Sequence, residues 1–298
     1  MQSLKAVTTN KEFEKIMQSM EARSQMTSEK NLEISPADES EYFCPKCKDE
    51  GGYIERKRAG ETTLVRVENR FEEVKLKHDT DEWIECECVE MRRIQRIVNA
   101  SSITDKFKNR GFKNFIIDGK PKVIAEMRQM AIDYYRAFDE IKNTEQNSIM
   151  FSGQPGCGKT HLLMAITNGL MREKVVPVAY FPYQDGMREI ASNNFEKKDE
   201  IVNKMCHVDV LFIDDLFKPI GNEVKVHKWQ GDIVAEVTNY RYLNAKPMLI
   251  STELSPLELL VSFDEAAASR MIEMASDYTK TIEKDISLNH RLRKVVGG

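Results

Sequence analysis

Residues 148 to 163 read SIMFSGQPGCGKTHLL. Within them, Gly153-Gln154-Pro155-Gly156-Cys157-Gly158-Lys159-Thr160 satisfies GxxxxGK[ST] in full. A strand-like apolar run precedes the motif and a helical pattern follows it. Such glycines let a loop wrap until its backbone N–H groups converge on phosphate oxygens. The helix that follows adds the partial positive charge of its N-terminus. The implied chemistry is the holding of a nucleoside triphosphate, with Lys159 on the β- and γ-phosphates and Thr160 on Mg²⁺. The expected nucleotide contacts are Gly153, Gln154, Pro155, Gly156, Cys157, Gly158, Lys159, Thr160 and His161.

Hydrolysis asks for more than a phosphate loop. Val210-Leu211-Phe212-Ile213-Asp214-Asp215 is an apolar strand ending in two acids, the Walker B form. Asp214 is expected to hold Mg²⁺, and Asp215 to orient or deprotonate the attacking water. Many ATPases carry Glu at the second position; Asp reaches one methylene less far. The run PMLIST ends in Ser251-Thr252-Glu253. In ATPases with an additional strand between the P-loop and Walker B strands, a polar residue at this place touches the water or the γ-phosphate. Glu253 stands there, where Asn is more usual. Arg270, in the helical run AAASRMIEM, is a candidate arginine finger for a neighbour's nucleotide, or else a solvated helix residue.

A second constellation is Cys44-Pro-Lys-Cys47, then 38 residues, then Cys86-Glu-Cys88. CxxC sets two thiolates on one tight knuckle and CxC chelates from the other side, which suits tetrahedral Zn²⁺. A Cys₃His set with His78 in place of Cys86 or Cys88 is a rival. A redox CxxC lacks its usual strand–helix setting. The region has little apolar material of its own, so a metal would help it fold. Cys206, flanked by apolar residues, reads as packing.

The elements that must position these groups follow from periodicity. Residues 9–12, TNKE, form a plausible capping box, and Phe13, Ile16, Met17 and Met20 make one apolar face after it. That stripe suits a partner's groove, or packing on the chain's own cysteine module. A polar linker follows, then short β-like runs (GYIER, TTLVRV, EWIE) between turn residues. Helical spacing returns at 89–99 and again from Lys122 to about Ile141. Beyond it, SIMFSG, VPVAYFP, VDVLFID, PMLIST and DYTKTIE alternate with helical stretches, which implies a parallel sheet covered on both faces. The expected domains are 1–100, with the cysteine module at 42–88, and an ATPase domain at 101–298.

Composition narrows the class. The 298 residues are 41% hydrophobic and 31% charged, with a formal net charge of −4. That is an ordinary foldable balance with no overall basic field toward nucleic acid. Any such contact needs a local patch, for which Lys197, Lys198, Lys218, Lys225 and Lys228 are candidates, although charge runs are more often solvated faces. No apolar run approaches the ~20 residues of a membrane span, and the N-terminus lacks a signal-peptide core. A cytoplasmic protein with reduced thiols is expected.

Taken together, CPKC and CEC, the connecting VEMRRIQRIVNAS, GQPGCGKTHL, FIDDLF, RYLNAKPMLIST and the closing NHRLR resemble the DnaC/DnaI-type replicative helicase loaders, phage and prophage versions above all. The resemblance spans about Cys44 to Arg293. It implies an α/β fold: a P-loop AAA+ three-layer parallel sheet core, preceded by a small helical and zinc-binding β module. It also implies an ATP-dependent loader of the hexameric replicative helicase in DNA replication initiation. On that pattern the N-terminal module grips the helicase, the AAA+ part binds ATP and single-stranded DNA, and copies associate in the helicase complex. Glu253 takes the sensor-one position and Arg270 the arginine-finger position. Arg291 or Arg293 could serve near the nucleotide, but the chain ends at Gly298 and leaves no room for the usual helical lid. A transposition helper ATPase of the IstB type shares the core motifs with a different N-terminus. An adaptor that binds ATP without hydrolysing it is the third reading.

Overall fold

The computed structural model describes residues 44, 46–67, 70–192, 195–219, 224–285 and 288–290. The apolar stripe of Phe13, Ile16, Met17 and Met20 lies outside these residues, as do Arg291 and Arg293. The chain divides into two compact units, Met1–Cys86 and Glu87–Gly298.

The first unit is built from two antiparallel hairpin-like pairs. β1 (Gly52–Lys57) pairs with β4 (Thr80–Glu85), Gly52 opposite Glu85 and Lys57 opposite Thr80. β2 (Thr62–Val67) pairs with β3 (Arg70–Lys75). Three of these strands follow the β-like runs. β3, RFEEVK, carries too much charge for its sequence to announce a strand, and its partner supplies the ladder. The β2–β3 ladder runs on one step, with Gly60 N–H donating to the Leu76 carbonyl and Leu76 N–H to the Glu61 carbonyl, both at 2.8 Å, and Thr63 of β2 donates its hydroxyl to Glu82 of β4 at 3.1 Å. Among the described residues before Glu87, the buried apolar side chains are those of Cys47 and Cys86.

The second unit carries a five-stranded sheet in the order β6 (Val178–Pro182), β7 (Val210–Leu216), β8 (Met248–Thr252), β5 (Ile149–Gly153), β9 (Thr279–Ile282). Every pair is parallel. All residues of β5 and β8 are buried, as expected of strands covered on both faces. β8 lies between the P-loop strand and the Walker B strand, so the additional strand that the sequence implied is present. β6 begins at Val178, two residues later than its apolar run. Pro177 has no N–H to offer the ladder; its carbonyl accepts from Val210 N–H at 3.1 Å.

Helices supply the crossovers. α1 (Cys88–Ala100), α2 (Asp105–Lys108) and α3 (Lys122–Ile141) precede the P-loop strand. α4 (Lys159–Glu173) follows it, with Leu162 to Thr167 all buried, so it is apolar nearly all round. α5 (Tyr183–Ser192) and α6 (Lys198–His207) connect β6 to β7. α7 (Lys228–Leu243) connects β7 to β8, and α8 (Pro256–Ser262) and α9 (Glu265–Met274) lead on to β9. Arg241 on α7 is wholly buried. Its guanidinium donates to the carbonyls of Met205, Cys206, Val208, Asp209 and Pro247 at 2.7–3.2 Å. It thereby ties the ends of α6 and α7 to the starts of β7 and β8. Among the described residues, no helix is long and apolar enough to cross a membrane.

Candidate functional site

The phosphate loop runs from the end of β5 into α4. Gly153 has φ +113°, and a Cβ there would stand 2.0 Å from the Ile282 carbonyl oxygen of β9. Gly158, the residue before α4, has φ +107°, and a Cβ there would lie 2.5 Å from the Phe115 ring. Both positions demand glycine for backbone conformation and for space. The loop is also held from outside. Gln154 pairs through its amide with the backbone of Asp285, donating at 2.6 Å and accepting at 2.8 Å. His290 places both its N–H (3.2 Å) and its ring Nδ1 (2.6 Å) at the Gly156 carbonyl. Cys157 is buried, its thiol on the Gln154 carbonyl at 3.1 Å. A cleft of about 320 Å³, lined by Gln154, Pro155, Lys284, Asp285 and Asn289, opens beside the loop. The Lys159 ammonium is buried and donates to the carbonyls of Gly153 (2.6 Å) and Gln154 (2.9 Å).

The acids of β7 meet this loop. Thr160 Oγ1 donates to Asp214 Oδ1 at 2.8 Å, which brings together the hydroxyl and carboxylate read as Mg²⁺ ligands. Two oxygen donors of that kind fit a hard divalent ion. Ser251 Oγ on β8 donates to the same carboxylate oxygen, and Tyr180 OH on β6 donates to Oδ2 at 3.0 Å. Burial pushes the Asp214 carboxyl up, and the negative charge of Asp215 adds to that; the hydroxyls of Ser251, Thr160 and Tyr180 oppose it. The buried Tyr180 phenol is pushed up too, first by burial and then by Asp214. Its hydroxyl therefore stays a donor.

At Asp215 the chain leaves the ladder. The register shifts between Ile213 and Leu216, and Asp215 takes φ +56°. Asp215 N–H donates to Ser251 Oγ at 2.8 Å. Its carboxylate meets Lys218 Nζ at 2.7 Å, and the same ammonium lies 3.7 Å from Glu253 Oε1. Asp215 and Glu253 are thus brought to one place by a lysine that sequence reasoning assigned only to a nucleic-acid patch. Nothing in the sequence marks Tyr180 or Ser251 as a partner of Asp214. The signal in the sequence was a polar residue within an otherwise apolar buried strand, which periodicity cannot assign to a partner 34 or 37 residues away.

The other candidates sit elsewhere. The His161 ring faces the segment before α3: Nε2 is 2.9 Å from Asn114 Oδ1, Nδ1 is 3.2 Å from Arg110, and the ring meets Phe115 edge-on. Burial holds its pKa below the usual imidazole value. Arg270 on α9 donates to Asn239 of α7 and stacks over Tyr242, 5.6 Å from the ring centroid. Those partners are not residues of the P-loop or Walker B strand. Lys197 and Lys198 stand at the start of α6, with Lys197 3.8 Å from Glu189; Lys228 opens α7, and Lys225 lies in the irregular stretch before it.

The cysteines gather. The sulphurs of Cys44, Cys47, Cys86 and Cys88 all lie within 4.8 Å of one another, and Cys44 and Cys86 are 3.7 Å apart. A tetrahedral thiolate site with Zn–S of about 2.3 Å has sulphurs about 3.8 Å apart, so the spacing fits. The knuckle is formed by a turn with Lys48, Asp49 and Gly51 at positive φ. Asp49 accepts from Cys44 N–H, and Glu50 N–H donates to the Cys47 carbonyl. Among the described residues this is the one group of three or more candidate ligands; His78 is not in it.

Comparison with known proteins agrees with this geometry. A family model described as the bacterial DnaA ATPase domain matches residues 108–274, more than half of the chain. The phage-like element PBSX protein XkdC of Bacillus subtilis is 41% identical over 260 residues, covering 87% of this chain and 90% of that protein. The replicative helicase loader DnaC of Escherichia coli is 26% identical over 183 residues, 60% of this chain and 69% of that protein. A crystal structure of the DnaC helicase loader matches in fold, with a TM-score of 0.51 at 19% identity, over 61% of this chain and all of that one. The chain belongs to the bacterial DnaA ATPase-domain family and is an AAA+ ATPase of the group that includes the DnaC and DnaI helicase loaders.

Proposed function

We propose that this chain is an ATP-dependent loader of a hexameric replicative DNA helicase. In this reading the N-terminal region with the cysteine module grips the helicase. The AAA+ unit binds ATP and single-stranded DNA, and several copies act together on one helicase ring. The observation that carries the reading is the joining, in one chain, of a four-thiol cluster to an ATPase core related to DnaC in sequence and fold.

The residues divide the work by their chemistry. Lys159 binds the β- and γ-phosphates, and Thr160 and Asp214 hold Mg²⁺, which neutralises charge between the phosphates. Asp215 accepts a hydrogen bond or proton from the attacking water. Glu253 stands at the γ-phosphate end, and Arg270 reaches the nucleotide of a neighbouring copy. The thiolates of Cys44, Cys47, Cys86 and Cys88 hold one Zn²⁺, whose binding adds to the folding energy of the module. The short reach of Asp215, one methylene less than Glu, favours slow hydrolysis, which suits a switch that reads ATP occupancy.

The test is loading of a purified replicative helicase onto circular single-stranded DNA. Wild-type chain with ATP should raise the amount of helicase retained on the circle; Lys159→Ala should not. Equal loading with and without the wild-type chain would overturn the proposal.

A further inference from the structure

We infer that Lys218 is a positioning residue for ATP hydrolysis, because its ammonium fixes the Asp215 carboxylate and offsets one of the two negative charges of Asp215 and Glu253. The inference rests on the reading of Asp215 and Glu253 as the acids facing the attacking water and the γ-phosphate.

The geometry is built rather than incidental. The turn after β7 holds Asp215 at φ +56° and Phe217 at φ +49°, two left-handed non-glycine residues in three positions. Such backbone is strained and persists where its surroundings enforce it. Here they do. Ser251 Oγ accepts the Asp215 N–H, and the Lys218 N–H returns to the Asp215 carbonyl at 3.2 Å. Phe217 is buried between the rings of Tyr183 and Phe263, at centroid distances of 5.2 and 4.8 Å. With Asp215 and Phe217 both anchored, Lys218 is delivered to one place. Its ammonium is 2.7 Å from Asp215 and 3.7 Å from Glu253.

The charge balance supplies the reason. Asp214 satisfies its carboxylate with three hydroxyls. Asp215 and Glu253 share Lys218. Bound ATP would bring further negative charge to these two carboxylates. Without the lysine, Asp215 would swing from the phosphate and Glu253 would repel it. A lysine here also eases the placing of a Glu where Asn is more usual: with Lys218 shared between them, Asp215 and Glu253 leave a net charge of −1 rather than −2. An ordinary exposed i,i+3 ion pair contributes almost nothing. This one is two-thirds shielded on both Asp215 and Lys218 and more so on Glu253, with side-chain exposures of 35, 33 and 17%.

The experiment measures ATP turnover and ATP affinity on the full chain, with and without single-stranded DNA. Lys218→Ala should lower kcat about ten- to a hundredfold, the scale of a misplaced catalytic group, while ATP affinity changes by less than about threefold. Lys218→Arg should keep most of the turnover. Glu253→Gln placed on Lys218→Ala should recover turnover several-fold, since it removes the unbalanced charge. Unchanged kcat in Lys218→Ala, or a loss that neither Lys218→Arg nor the double variant relieves, would overturn the inference. Melting temperatures taken alongside identify a purely structural role: a loss of stability with unchanged kcat per folded molecule also overturns it. Asp215→Ala is the control for the underlying reading. If that variant still turns over ATP at the wild-type rate, the assignment of Asp215 falls, and the inference about Lys218 falls with it.

Discussion

Replacing Ser251 by Ala should damage this protein far more than the loss of one oxygen suggests. Ser251 is wholly buried on β8. Its hydroxyl donates to the Asp214 carboxylate and accepts from the Asp215 N–H. A hydrogen bond to a charged group contributes about 1.5–3 kcal/mol, and a buried N–H stripped of its partner costs about 1–3 kcal/mol. Their sum is an upper bound, because the turn at Asp215 can relax toward water; about 2–4 kcal/mol is expected. For a folding unit of this size, each kcal/mol lowers Tm by about 2–4 °C, so the drop should be roughly 5–15 °C. Ser152→Ala is the matched control. Ser152 is equally buried, on the neighbouring strand β5, but its hydroxyl donates only to the neutral Thr281 Oγ1 at 2.8 Å. It should cost about 0.5–1.5 kcal/mol. Differential scanning calorimetry of the three proteins decides the matter. ATP turnover of Ser251→Ala should fall as well, because Asp215 loses its backbone anchor. Equal melting shifts for the two variants, with turnover intact in both, would refute the reasoning that Ser251 ties the paired acids together.

Three further outcomes are expected. Elemental analysis should return one zinc per chain, and chelation should unfold the first unit, seen as loss of protection in residues 46–86 by hydrogen exchange; a metal-free chain with the same protection would contradict the four-thiol site. Arg270→Ala should spare ATP binding and reduce turnover about a thousandfold or more if it acts as a finger on a neighbouring copy, with the loss seen only where copies associate. Titrating turnover against protein concentration checks this. Arg241→Met should cost at least about 3–5 kcal/mol, because it removes the donors from five buried or part-buried carbonyls; chemical denaturation measures it, and a loss below about 1 kcal/mol would mean that those carbonyls find other partners.

Much of the fold was legible because it is written locally. The apolar runs ending at Gly153, Asp214 and Thr252 became the three central strands, and the 3.6-residue spacing between Lys122 and Ile141 became α3. The phosphate loop and the cysteine knuckles carry their meaning in residue type and short spacing. What stayed hidden depends on partners far away in sequence. Tyr180 and Ser251 look like ordinary strand residues until the order β6-β7-β8 brings them to Asp214. Lys218 reads as one lysine among several until the strained turn delivers it to Asp215 and Glu253. Arg241 sits in RYLNAKP like a solvated helix residue, and only its burial shows that it bonds the ends of two crossovers together. His161 continues the phosphate-loop motif in sequence, yet its ring bonds to the segment at 110–115.

The central claim is that ATP is held here to control a helicase ring. Native mass spectrometry of the chain mixed with a replicative helicase, with and without ATP, tests it most directly. The expected result is a complex of one helicase hexamer with several copies of this chain, whose population changes with ATP and is insensitive to ATP in Lys159→Ala. Absence of any complex in every nucleotide state, with zinc bound and the first unit folded, would contradict it.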